Sequence, residues 1–209
     1  MKEINKALAS GLFSGFLTLL VSLLMVSCAS IPELQVLYKL PPPSKQLKGR
    51  LLALTVDDER TSKTVLGKGA REEFKGFSGN ISLSVADYND KEFKVGIFRV
   101  PDLMREAFKR KLENLGMEVL SEKTLGKLEL MIVLKEFSLD LEGRDWVAKM
   151  SYEARLTTAK GAVATQFVNG RAERYQLFGR ESADTLMGEI FTDMVNALDL
   201  PRLFKQAGG

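Results

Sequence analysis

Apolar residues recur along this chain at two spacings, and each spacing predicts its own kind of element. Ala183, Leu186, Met187, Ile190, Phe191, Met194, Val195 and Leu198 fall at the three- and four-residue steps of one helix face. They predict an amphipathic helix that starts at Ser182 and is ended by Pro201. Leu103, Met104, Ala107, Phe108, Leu112 and Leu115 repeat the spacing, interrupted only by Lys111. Pro101 suits the first turn of that helix, and Gly116 suits the position just past its end.

The second spacing is two. Ile81, Leu83 and Val85, then Phe93, Val95 and Ile97, alternate with other residues on either side of Tyr88-Asn89-Asp90, which predicts a hairpin. Met117 to Leu120 reads as a short strand. Leu128, Leu130, Ile132 and Leu134, running on to Phe137, predict a longer one. After a turn near Gly143 come Trp146, Ala148, Met150, Tyr152, Ala154 and Leu156; a second turn at Gly161 leads into 163–175. Strands joined by short turns are antiparallel neighbours. Leu51 to Val56 is an apolar run that ends abruptly at Asp57-Asp58-Glu59-Arg60, and 61–79, with four glycines, reads as an irregular loop. The fold class expected is therefore α+β, a two-layer sandwich of a mainly antiparallel sheet with two amphipathic helices on one face.

The N-terminus follows neither spacing. After Met1 to Lys6 no charge appears until beyond Cys28, and the apolar run is strongest from Leu17 to Val26. A basic start, an apolar stretch and small residues before a cut site describe a signal peptide. The alternative is a retained transmembrane anchor, since 21 uncharged residues can span a hydrocarbon core of about 30 Å. Met25-Val26-Ser27-Cys28 favours the signal peptide, because it resembles the bacterial lipobox and places the chain's single cysteine at the position acylated after cleavage. The resemblance implies lipid attachment at Cys28. With Ala29 rather than Asp following, it also implies transfer to the outer membrane, the inner membrane being the less favoured site. Pro41-Pro42-Pro43 suggests an extended spacer. The domains expected are a signal peptide at 1–27, a lipidated N-terminus and tether at 28–48, and a periplasmic domain at 49–209.

Composition narrows the chemistry. Among 209 residues there is no histidine and one cysteine. That excludes imidazole acid/base catalysis, Ser-His-Asp and Cys-His arrangements, intrachain disulfides and thiolate metal clusters. The net charge is +3, from 30 basic and 27 acidic residues, and no nucleic-acid partner is expected. No cofactor or metal is expected either. The densest charge cluster, Asp57, Asp58, Glu59 and Arg60, is the candidate partner- or ion-binding loop; the alternative is a turn in which an Asp pairs with Arg60. Gly67-Lys68-Gly69 lacks the rest of a phosphate loop. Trp146, Met150 and Tyr152 share one predicted face, as core or as the wall of an apolar groove, while Lys149, Glu153 and Arg155 share the other.

Taken together, the lipobox at Cys28, the strand ending in Asp58-Glu59-Arg60, the helix from Leu103 to Gly116 with Met117-Glu118-Val119, the strands at 128–137 and around Tyr152 to Thr157, and Asn196 in the last helix resemble the YajG-type family of bacterial lipoproteins. The resemblance implies no catalytic residues. It implies a non-enzymatic outer-membrane lipoprotein, attached to the membrane through acyl chains and serving as a binding or accessory module beside an envelope protein partner. Lipoproteins of similar two-layer fold act in lipopolysaccharide export and lipid transport. The alternative function is a carrier or sensor of a lipid or other apolar ligand, held in a cavity that Trp146, Met150 and Met194 would line.

Overall fold

The computed structural model describes residues 32–120, 128–177 and 179–208. Among these residues eight strands form two sheets. The smaller has the order β1-β3-β4, with β1 at Leu34–Lys39, β3 at Ile81–Ala86 and β4 at Glu92–Phe98. The larger has the order β5-β2-β6-β7-β8, with β2 at Leu51–Asp58, β5 at Glu118–Leu120, β6 at Leu128–Glu142, β7 at Asp145–Thr157 and β8 at Val163–Tyr175. Three pairings are antiparallel, β3 with β4, β6 with β7 and β7 with β8. The earliest strand of each sheet enters parallel, β1 beside β3 and β2 between β5 and β6. The helices among the described residues are α1 (Lys68–Glu73), α2 (Val100–Asn114), α3 (Glu181–Asn196) and α4 (Leu200–Gln206). Both long helices, α2 and α3, touch both sheets, and one continuous apolar core fills the space they share. The α+β sandwich expected from the sequence is the fold observed.

Four local expectations are corrected. The tether expected over 28–48 contains β1, whose Leu34, Val36 and Tyr38 are wholly buried. Their two-residue alternation is a strand signal in its own right, and the prolines that suggested a spacer lie just beyond the strand. The loop expected over 61–79 holds α1, and Leu66 bridges to Leu139. The strand expected to stop near Phe137 continues to Glu142 through a bulge at Lys135, where the register with β7 shifts. The extra residue moves the buried set from even positions (Leu130, Ile132, Leu134) to odd ones (Phe137, Leu139). Pro201, expected to end the last helix, instead occupies the first turn of α4, where its missing N–H leaves no bond unmade. The Asp199 side chain caps that turn by accepting from the Arg202 N–H.

Helix α3 runs along the outer edge of β1 and takes the place of a neighbouring strand. Asp184 accepts from the Gln35 N–H at 2.9 Å, and Thr192 accepts from the Lys39 N–H at 3.1 Å while donating to the Leu37 carbonyl. Asn196 donates to the Lys39 carbonyl and accepts from the Tyr38 hydroxyl. Gly188 lies between them in the same four-residue stripe. A Cβ there would meet the Leu37 backbone oxygen at 3.1 Å and its nitrogen at 3.2 Å. Burial pushes the Asp184 carboxyl up to about 6, against the Gln35 N–H that favours its charged form.

Lys111, which interrupts the apolar face of α2, is 4% exposed. Its ammonium donates to the carbonyls of Val195 (2.8 Å), Asn196 (3.1 Å) and Leu198 (2.7 Å), which takes up free acceptors at and just past the C-terminus of α3. Gly116, with φ of +85°, closes α2 in the left-handed conformation the sequence anticipates.

Gly188→Val should force a side chain against the β1 backbone and lower stability by about 1–3 kcal/mol, measured by urea unfolding. A second prediction concerns Lys111, whose pKa burial pushes down to about 8 from 10.5. Between those values the unfolded chain holds the proton and the folded chain does not, so stability rises with pH across that window. Relative to Lys111→Met, the parent protein should gain roughly 3 kcal/mol of unfolding free energy between pH 8 and 10.5.

Candidate functional site

The strand end Asp57-Asp58-Glu59-Arg60 is where the sequence concentrates charge, and the structure shows how that charge is used. Asp58 and Arg60 form a two-pronged ion pair, with Nε to Oδ1 and Nη2 to Oδ2 both at 2.9 Å. The Arg60 side chain is 4% exposed, and the Asp58 side chain is 18% exposed. The Arg60 backbone N–H also donates to Asp58, which closes the chain into the turn that the sequence left as the alternative. Lys63 adds a second cation at 3.2 Å from the same carboxylate. The Arg60 guanidinium, helped by Lys63, holds the Asp58 carboxyl down at about 2. Nη1 of Arg60 is buried with no acceptor among the described residues.

Asp57 and Glu59 point the other way, onto the outer face of the larger sheet. Glu59 pairs with Lys135, the residue at the β6 bulge. On β7, Arg155 pairs with Glu153 through Nε and Nη2, which lowers the Glu153 carboxyl, and Lys135 adds to that effect. The charges of Asp57 and Glu59 also act on Arg155. The face is thus a patchwork of Asp57, Glu59 and Glu153 against Lys135 and Arg155. Among the described residues, no three acidic or cysteine side chains are grouped so as to hold a metal ion. A carboxylate held near 2 stays charged at neutral pH and cannot shuttle a proton there.

Beyond Arg60 lies a cavity of about 400 Å³, lined by Ser62, Thr64, Lys135, Glu136, Ser138 and Ser151 among others. Val65, Leu66 and Phe137 share its lining, so the pocket is part polar and part apolar, and Lys135 and Glu136 bring the β6 bulge to its wall. Lys63 and Lys135 were not among the candidates read from the sequence. The phase change of the alternation between Leu134 and Phe137 is the signal that marks Lys135.

The remaining sequence candidates are accounted for in place. The Gly67-Lys68-Gly69 segment opens α1, and its N–H groups bind the protein's own anion. Asp140 of β6 accepts from Gly69 at 2.9 Å and from Ala70 at 3.1 Å. A Cβ at Gly69 would sit 2.1 Å from the Leu141 carbonyl oxygen, so the glycine is needed for the close approach of α1 to β6. Trp146, Met150 and Tyr152 are buried core side chains. Trp146 meets the edge of Phe74, Tyr152 meets Phe108, and the Tyr152 hydroxyl donates to the Met194 carbonyl. Cys28 lies outside the described residues. No helix among the described residues is long and apolar enough to cross a membrane.

No family model and no curated protein matches the chain. Solved structures do. Protein XCC0632 from Xanthomonas campestris, of family DUF330, superposes with a TM-score of 0.54 at 13% sequence identity, over 86% of this chain and 96% of that one. The two chains share a fold. At that identity the likeness extends to architecture and not to function. Lipoprotein GNA1162 from Neisseria meningitidis (TM-score 0.38, 13% identity, 70% of this chain and 96% of that one) and the rare lipoprotein B from Shewanella oneidensis (0.36, 8%, 75% and 93%) overlap too loosely to bear on what this chain does.

Asp58→Asn should leave the buried Arg60 guanidinium without its counter-ion and cost about 3 kcal/mol at neutral pH. The folded pKa is depressed, so the pair's stabilisation is present above 3.8 and fades as pH falls toward 2. Thermal melts between pH 7 and 2 should show the parent losing that advantage over the variant across the lower window.

Proposed function

We propose that this protein is a lipid-anchored lipoprotein of the bacterial outer membrane, whose periplasmic domain is a non-enzymatic binding module for an envelope protein. The observation that carries the reading is the position of Cys28. The one cysteine in 209 residues closes a lipobox-like Met25-Val26-Ser27 and stands six residues before β1, the first strand of the folded domain. Cleavage before Cys28 and acylation, palmitate among the chains, would anchor the domain without a membrane-spanning helix. Each buried methylene contributes about 0.8 kcal/mol, and two or more chains hold stably. The resemblance to the YajG type belongs to this reading and rests on the same lipobox together with the Asp58-Glu59-Arg60 strand end.

A binding role is supported by how the charged and apolar groups are disposed. Asp58 is engaged with Arg60 and Lys63, as a structural turn requires, and Glu59 with Lys135. The largest aromatic side chains are packed inside. On the surface, β8 is an edge strand of the larger sheet and carries Val163 and Phe167, the latter 70% exposed. A sheet edge with exposed apolar side chains is a common platform for protein partners.

Intact mass and membrane fractionation of the native protein beside Cys28→Ala test the anchor. The native chain should begin at Cys28, carry the mass of its acyl chains and sediment with outer membranes, and the variant should lose both. An unacylated chain retaining residues 1–27 in the inner membrane would overturn the reading.

A further inference from the structure

The anchor of the proposed lipoprotein is on a short leash, and the fold fixes where that leash enters the domain. Cys28 and Pro32 are four residues apart, which even fully extended span no more than about 14 Å. Pro32 stands beside Gly76, which follows α1. Two residues on, β1 begins next to the first residue of β3 and the first turn of α3, through the Leu34 register with Ile81 and the Gln35 bond to Asp184. The C-terminal end of β8 lies at the same end of the domain, because Gln166 bonds the Ala197 carbonyl at the far end of α3 while Arg174 pairs with Glu189 nearer its start. There Tyr175 is 46% exposed and Leu177 is 71% exposed. The Arg144 guanidinium lies 4.9 Å over the Tyr175 ring, and that of Arg180 lies 5.4 Å over Phe74.

We propose that this end of the domain, with Leu177 and Tyr175 at its surface, lies against the lipid bilayer into which Cys28 is acylated. The inference rests on the lipoprotein reading above and adds an orientation to it. Exposed apolar side chains alone do not choose an end, since Tyr88 and Val163 at the opposite end are each 59% exposed. The leash chooses. Val163 and Tyr175 close the two ends of a 13-residue strand, a separation of about 40 Å. A leash of about 14 Å that enters beside α3 brings the Tyr175 end to the membrane and keeps the Val163 end away from it. The charges at the near end are mixed, with Arg144, Arg180 and Lys75 against Glu142, Asp145 and Glu181. Anionic headgroups therefore neither recruit nor repel this surface, and the acyl chains supply the attachment. Leucine and tyrosine with an arginine stacked above the ring suit the boundary between headgroups and acyl chains, where apolar bodies sink and charged tips stay wet.

The chain has no cysteine except Cys28, which acylation blocks, so one introduced cysteine gives one reporter. Full-length acylated protein carrying Leu177→Cys, Val163→Cys or Tyr88→Cys is labelled with a polarity-sensitive maleimide dye. It is then reconstituted into vesicles of phosphatidylethanolamine and phosphatidylglycerol with brominated acyl chains. All three positions are exposed, and melts matching the parent confirm that each variant is folded. The dye at Leu177 should shift to the blue and lose most of its fluorescence to the bromines, while those at Val163 and Tyr88 keep theirs. Vesicle-bound, acylated protein in which Leu177 is no more quenched than Val163 would overturn the orientation and leave the lipoprotein reading intact. Protein whose intact mass shows no acyl chains and which does not float with vesicles would overturn both.

Discussion

The domain is closed by a strand and a helix that hydrogen-bond as if they were two strands. An edge strand leaves a row of N–H and C=O groups that water or another chain must satisfy. Along β1 those groups are met by Asp184, Thr192 and Asn196 of α3. The match is possible because the two repeats agree. Four residues of strand from Gln35 to Lys39 rise about 13 Å, and eight residues of helix from Asp184 to Thr192 rise about 12 Å. Gly188 lets the axes approach closely enough for short side chains to reach. Because α3 also packs on β7 and β8, this contact ties the smaller sheet to the larger one, beside the link that α2 makes between them.

The same economy governs the charged residues that lie inside or against the fold. Lys111 holds the carbonyls at the end of α3, Asp140 holds the first N–H groups of α1, and Asp58 holds Arg60. In the first two a residue distant in the chain supplies what a helix end lacks, and in the third a residue two positions away closes a turn. A glycine-rich segment that binds a carboxylate of its own sheet, and an acidic cluster neutralised by its neighbours, are local features of assembly. They leave the functional argument to the proposed anchor at Cys28 and to the exposed sheet edge.

The long periodic elements were legible in the sequence because they bury one face completely. All six apolar positions from Trp146 to Leu156 are buried, as their alternation requires. Helices α2 and α3 were legible for the same reason, down to the glycine that closes α2. What escaped notice were features decided by distant partners. The strand β1 has only three inward residues, and three prolines follow it closely. Lys111 broke a pattern instead of making one, and only the neighbouring helix end explains it. The Asp57-to-Arg60 cluster was visible as charge, yet which charge meets which depended on the β6 bulge that brings Lys135 beside Glu59. Arg60 was legible as a partner for an Asp because Asp58 stands only two residues before it.

Strand β1 also determines how the domain answers a mechanical load. Tension applied through residue 32 acts along the axis of the strand, parallel to β3 and to α3. The bonds on both sides of β1 are then sheared together instead of being unzipped one at a time, and Leu34, Val36 and Tyr38 must leave the core at the same moment.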